Sequence, residues 1–182
     1  MRKRSIVAAA ALVLLLAGAM AASAQFRLDA NISWPFYLGV NLSSATLGTG
    51  TQGIDLSKLL ILVPDVELYY QFGTGSLRGG VGARVYTLII ESVIYPSAFL
   101  ELDLNPIVIN ANVGGGAYAF FGILPLNAGA AQLFLPDLNV AVKLTDWFRL
   151  GAGVFGLFIP DLQGEAVPFA AYINARFVVM FK

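Results

Sequence analysis

The chain has 182 residues, 11 of them basic and 11 acidic, with no cysteine and no histidine. Disulfides and thiolate metal sites are therefore excluded, the commonest metal ligand and general base is missing, and the balanced charge gives nucleic acid no electrostatic footprint. Hydrophobic residues make up 58% and charged ones 12%, yet past the N-terminus no apolar run approaches the roughly 20 residues of a membrane helix.

At the N-terminus Arg2, Lys3 and Arg4 precede an apolar run from Ile6 to Met20, and Ala22 and Ala24 flank Ser23. A basic start, a short apolar core and an A-x-A site predict a secretory signal peptide over residues 1–24, cut after Ala24. An uncut anchor helix would want a longer run. Residues 25–182 then make one domain, in which eight basic residues face 11 acids.

From Arg27 to Leu42 the even positions, Leu28, Ala30, Ile32, Trp34, Phe36, Leu38, Val40 and Leu42, are all apolar. The odd positions include Arg27, Asp29, Asn31, Ser33 and Asn41. Side chains alternate between faces along a strand, so this period of two predicts one long strand with an apolar and a polar face.

The alternation recurs down the chain. Val66, Leu68, Tyr70 and Phe72 oppose Asp65, Glu67, Tyr69 and Gln71; Leu77, Val81, Ala83 and Val85 oppose Arg78, Gly80, Gly82, Arg84 and Tyr86. Ala98, Leu100 and Leu102 oppose Ser97, Glu101 and Asp103, with Phe99 as an exception, and Ile107, Ile109, Ala111 and Val113 oppose Asn110, Asn112 and Gly114. Leu138, Val140 and Val142 oppose Asp137, Asn139 and Lys143, Leu150, Ala152 and Val154 oppose Arg149, Gly151 and Gly153, and Ile173, Ala175 and Phe177 oppose Tyr172, Asn174 and Arg176. Eight strands and no helix follow. Short turns at Gly73–Gly75, Asn105–Pro106 and Thr145–Asp146 alternate with links at 43–58, 91–93, 122–132 and 160–165.

Short turns on one side and longer loops on the other are the layout of an all-β fold, a closed eight-stranded antiparallel up-and-down transmembrane β-barrel. A soluble sandwich or barrel alternates as well, but it would carry charges along nearly every outer face. Here the minority face is rich in Gly, Asn, Ser and Tyr, which suits a narrow wet lumen. Aromatics gather towards both strand ends, with Tyr70, Phe72, Trp147, Phe148 and Phe181 near the short turns and Phe36, Phe121, Phe134 and Phe158 near the loops, as headgroup belts require. Pro64, Pro96, Pro136 and Pro168 are expected at the upper rim, where pairing ends.

In this pattern the chain resembles the small eight-stranded outer-membrane proteins, the OmpA transmembrane domain, OmpX and OmpW group. The closing stretch "NARFVVMFK" is its best local match. The resemblance implies that Phe177, Val179 and Phe181 form an assembly signal read by the barrel-insertion machinery. It also implies residence as a monomer among outer-membrane lipid in a diderm bacterium.

The inward parity gathers Asp65, Glu67, Glu101, Asp103 and Asp137 with Arg78, Arg84, Lys143, Arg149 and Arg176. Paired, they make a plug that fixes strand register; a gate or proton path is the functional alternative. Barrel enzymes that the family's neighbours include generally use a histidine, and this chain has none. Glu101 and Asp103 have a spacing compatible with acid and base roles, but lumen bases are at hand to pair them. The loop acids Asp55, Glu91, Asp161 and Glu165 show no calcium-loop signature. No cofactor is expected: the G-x-G-x-x-G string Gly151–Gly156 runs on in strand parity to Pro160, without the helix and later acid that a dinucleotide site needs. Gly39, Gly80, Gly82, Gly114, Gly116, Gly151 and Gly153 read instead as inward space beside bulky neighbours. The sequence thus predicts a non-enzymatic barrel with a largely plugged lumen, serving envelope structure or surface contact. A narrow porin-like channel for small or apolar solutes, as in the OmpW group, is the first alternative. A surface adhesin using 43–58 and 122–132 is the second.

Overall fold

The computed structural model describes residues 25–44, 48–73, 75–88, 91–123, 127–158 and 166–181. The expected signal peptide, Asp161 and Glu165 lie outside the described residues. Nine strands follow one another: β1 (Gln25–Ser44), β2 (Gly48–Asp55), β3 (Val63–Phe72), β4 (Leu77–Leu88), β5 (Glu91–Asp103), β6 (Ile107–Gly122), β7 (Asn127–Lys143), β8 (Phe148–Gly156) and β9 (Ala166–Phe181). β1 pairs antiparallel with both β2 and β3, each strand from β3 to β9 pairs antiparallel with the next, and β9 returns to pair with β1. The lower wall is a closed ring of eight strands, with β3 beside β1 from Gln25 to Ser33.

The ninth strand comes from the expected loop 43–58. β2 pairs with the upper half of β1, from Tyr37↔Asp55 to Ser44↔Gly48, so the two make a hairpin that extends the wall upward. Its glycines and polar residues look like a loop in sequence; pairing along β1 overrides that preference. Between β2 and β3 the chain leaves the ladder at Leu56–Leu62, and Trp34 Nε1 donates to the Leu59 carbonyl at 2.8 Å. Leu59, Leu60, Ile61 and Leu62 are exposed there. Leu60 and Leu62 edge an outer groove of about 730 Å³ together with Ile32, Trp34 and Ile173.

The alternation of sequence becomes a division between outside and inside, inverted relative to a soluble domain. In β3 Asp65, Glu67, Tyr69 and Gln71 are buried while Val66, Leu68 and Tyr70 are exposed. The same holds around the ring: Arg27, Asp29, Arg149 and Arg176 are buried, whereas Ile32, Leu100, Leu138, Leu150 and Ile173 are exposed.

Three expectations need correction. The alternation from Arg27 to Leu42 does not run unbroken: the register of β1 on β9 slips between Pro35 and Tyr37, leaving Phe36 as the extra residue of a bulge. Above it the parity of β1 reverses. Leu38 turns into the lumen, and Gly39 faces out beneath the Phe169 and Tyr37 rings, whose atoms lie 2.4 and 2.8 Å from where its Cβ would stand. Of the four prolines only Pro64 stands where pairing ends, one residue from the start of β3. Residues above Pro96, Pro136 and Pro168 remain in ladders, and the missing N–H of Pro96 falls where the register slips between Ile94 and Ser97. Finally, Gly116 makes no room for a neighbour, since nothing lies within 4 Å of its absent Cβ; its φ of 81° serves the bulge between Gly115 and Ala117.

Close approach is the constraint at Gly82, where a Cβ would stand 1.9 Å from the Leu68 carbonyl oxygen. Rigid backbone cannot yield that distance, so Gly82→Ala is expected to lower the yield of folded barrel sharply. Gly156→Ala, whose nearest contact is the Pro136 ring at 3.3 Å, is expected to fold normally. The comparison is read from heat-dependent gel migration after refolding in detergent.

Candidate functional site

An eight-stranded barrel has just enough interior for side chains, and here charged groups fill its lower part. Near the short turns, Arg78 and Lys143 both reach Asp103, the lysine at 2.5 Å. One level higher, Glu101 receives Arg27 at 2.8 Å and Arg149 at 2.7 Å, with Arg78 at 3.4 Å. Arg27 also forks onto Asp29, through Nε at 2.7 Å and Nη2 at 2.6 Å, and lies over the Phe99 ring at 4.8 Å. Phe99, the apolar exception on the inward face of β5, therefore serves as a platform for a cation.

A third level surrounds Arg84. Its guanidinium meets Asp65 at 3.0 Å, Glu67 at 2.9 Å and Asp137 at 2.7 Å. Asn31 links the levels, accepting from Arg176 Nε at 2.7 Å and donating to Asp65 at 2.9 Å, while Arg176 also lies 3.6 Å from Asp29. Neutral bonds fill the remaining space: Tyr69 and Ser97 are 3.0 Å apart, and Ser97 donates to Asn112 at 2.6 Å. Asn139 donates to Asn174 at 3.0 Å. Five of these six cations are arginines, whose planar forks match two carboxylates at once where a lysine offers a point charge.

All ten charges expected inside thus face the lumen and each touches an opposite charge. Sequence reasoning left two out of the network, Arg27 and Asp29, which are fully buried. Their signal was available, since both stand on the polar parity of the first strand. With them the interior holds six acids and six bases among the described residues. A few atoms stay unmatched: Asp65 Oδ2 and Arg149 Nε have no hydrogen-bond partner, and Glu67 Oε1 approaches Arg84 without hydrogen-bond alignment.

Glu101, Arg27 and Asp29 are buried almost completely, packed against one another inside the ring. Above Arg84 the character of the lumen changes. A cavity of about 590 Å³, almost wholly apolar, is walled by side chains that include Leu38, Tyr86, Tyr95, Tyr118, Phe155 and Tyr172. Its floor is tied to the plug: Tyr172 donates to Asp137 at 2.5 Å, and the Arg84 guanidinium sits 4.5 Å from the Tyr86 ring centre. Tyr86 in turn stacks on Tyr95 at 6.1 Å and meets Phe155 edge-on at 5.7 Å. The inward parity of Tyr86, Tyr118 and Tyr172 was readable in sequence, but their gathering into a cup was not, because it depends on how far up each strand they stand.

Phe177, Val179 and Phe181 face outward and are exposed. Phe177 stacks on Trp147 at 5.9 Å and meets Phe148 at a tilt at 4.9 Å, joining the end of β9 to the last short turn. Glu91 lies in β5 and Asp55 in β2; among the described residues no group of three or more acids is placed to hold a metal ion.

No protein-family model matches the chain, and no curated protein does. Solved structures similar to it are small barrels. They include Neisserial surface protein A, at 14% identity over 84% of this chain and 96% of that one, with a TM-score of 0.44. The N-terminal β-barrel domain of Pseudomonas aeruginosa OprF is 9% identical over 83% and 97%, with a TM-score of 0.43. Ail, the attachment invasion locus protein of Yersinia pestis, is 8% identical over 86% and 99%, with a TM-score of 0.39.

Because Glu101 compensates three guanidinium groups, its removal leaves buried cations short of a counter-charge. Glu101→Ala is expected to destabilise the folded barrel by about 3–5 kcal/mol, the usual cost of breaking a buried pair from one side. The check is the urea midpoint of unfolding in lipid vesicles; an unchanged midpoint contradicts the role given to Glu101.

Proposed function

We propose that the chain is a non-enzymatic integral outer-membrane barrel of a diderm bacterium, with a lumen closed by its own charges, that serves the envelope as a structural and surface-contact protein. The observation that carries this reading is the inversion of the wall: large apolar side chains circle the outside while charged side chains fill the inside. In water such a wall would expose far more contiguous apolar surface than a soluble monomer tolerates. In a bilayer it is the arrangement that satisfies both lipid and backbone, since closed strands leave no unpaired edge in the hydrocarbon.

The rest of the reading follows from that placement. Residues 1–24 direct export and are cut after Ala24; Phe177, Val179 and Phe181 are then offered to the insertion machinery, and the barrel stands as a monomer. The narrow-channel alternative has the apolar cup in its favour, but conduction would need the plug below it to part.

Refolding the chain without residues 1–24 into phosphatidylcholine vesicles tests the membrane placement. A protease-protected form that migrates differently before and after boiling is the expected result. A folded chain that stays soluble without detergent would overturn the proposal.

A further inference from the structure

The Leu56–Leu62 segment stands against the outer wall as a flap. Trp34, whose indole holds the flap through the Leu59 carbonyl, lies eight residues above Phe26, which pairs with Phe181 near the short turns. At about 3.3 Å per residue and a strand tilt of about 40°, that is roughly 20 Å of height, close to the upper edge of an apolar band about 25 Å tall. Leu60 and Leu62 therefore stand at the upper boundary of the apolar wall. Lys58, next to Leu59, and Asp55, which pairs with Tyr37 above Trp34, stand at head-group height.

Below the flap the outer wall carries a trough. Outward side chains from five strands form one row, Ile32, Ala175, Leu150, Val142 and Ile107, each paired directly with the next. With strands about 4.8 Å apart the row is about 19 Å long, and it descends from the flap to the start of β6. Ala175 in this row and Ala152 in the row above it leave the floor of the outer groove low between longer neighbours. The length suits one acyl chain, which reaches about 15 Å from its head group to the middle of a hydrocarbon core about 30 Å thick.

The apolar trough does not choose among lipids, but the charges at its upper end do. Among the described residues Lys58 is the one cation outside the lumen, and it is exposed. Asp55 is exposed as well, and its carboxylate accepts the Ser57 N–H at 2.8 Å through one oxygen. A purely anionic head group would gain Lys58 and be repelled by Asp55. A zwitterionic one places its phosphate on the lysine and its ammonium on the aspartate. A primary ammonium also donates charge-assisted hydrogen bonds to the carboxylate, which the methylated ammonium of choline has no N–H to make.

We propose that flap and trough bind one zwitterionic phospholipid of the phosphatidylethanolamine type, an acyl chain lying over Ala175 and Ala152, its phosphate on Lys58 and its ammonium on Asp55. The site rests on the membrane placement proposed above and leaves the plug closed.

The test uses the refolded barrel in phosphatidylcholine vesicles with a trace of phosphatidylethanolamine bearing a photoactivated diazirine in one acyl chain, labelled residues being found by mass spectrometry. A second arm carries the same chain on phosphatidylglycerol. The phosphatidylethanolamine probe is expected to label Ile173 and Val142 in the trough several-fold more than Leu68 and Val81, which are exposed on the far wall, and the phosphatidylglycerol probe to label both walls alike. Lys58→Gln and Asp55→Asn, both at exposed positions, should leave folding unimpaired and abolish the excess. Ala175→Leu fills the trough and should do the same. An excess that survives both charge variants overturns the head contacts, and one that survives Ala175→Leu overturns the trough. An equal excess with phosphatidylglycerol overturns the zwitterionic choice. Even labelling of both walls by phosphatidylethanolamine overturns the site and leaves the membrane placement standing, whereas no labelling of any outward residue refutes that placement and the site with it.

Discussion

A charge enclosed by eight strands cannot reach water, so it has to find its opposite inside the same ring. That constraint organises the molecule. Asp103, Glu101 and Asp29, and the set of Asp65, Glu67 and Asp137, stand at successive heights, and each level carries its own cations. The pairs are not by themselves a large source of stability, since desolvation offsets much of what they contribute. What they supply is register: sliding one strand by a residue would turn its charges onto the apolar outer face and leave partners on the next strand alone in the lumen.

The same constraint explains where the plug stops. Above Arg84 the inward positions pass to Tyr86, Tyr95, Phe155 and Leu38, so the lumen no longer needs counter-charges and no longer closes. Leu38 reaches that wall only because Phe36 bulges and reverses the facing of β1. One inserted residue therefore converts a strand that is polar inside below into one that is apolar inside above. The polar floor and apolar wall of the cup are consequences of register as much as of composition.

Much of this was legible in the sequence because period-two alternation encodes both faces of a strand at once. The eight lower strands, the absence of helix and the inward charges all follow from it. Arg27 and Asp29 belong to the same pattern and were separable from it only by weighing every charged residue for a partner. The bulge was not legible: Leu38 and Val40 are apolar on either reading, so a reversal of facing leaves no trace in residue type. β2 was hidden for another reason, since Gly48–Gly53 has a loop composition and becomes a strand only by pairing with β1. The glycines divide likewise. Gly80 and Gly114 make room inside, for Phe99 and Tyr95 respectively, and Gly39 makes it on the outer face, for Phe169 and Tyr37, whereas Gly116 serves a bulge through its positive φ.

The central claim is that the paired charges close the lumen, and ion conductance across a planar bilayer measures it most directly. The refolded wild-type barrel should show no steady open level, while a variant lacking both Glu101 and Arg149 side chains, if it inserts, should conduct. A stable, ohmic open state in the wild-type barrel would contradict the account, because the fully enclosed Arg27, Asp29 and Glu101 could not then occupy the positions seen here.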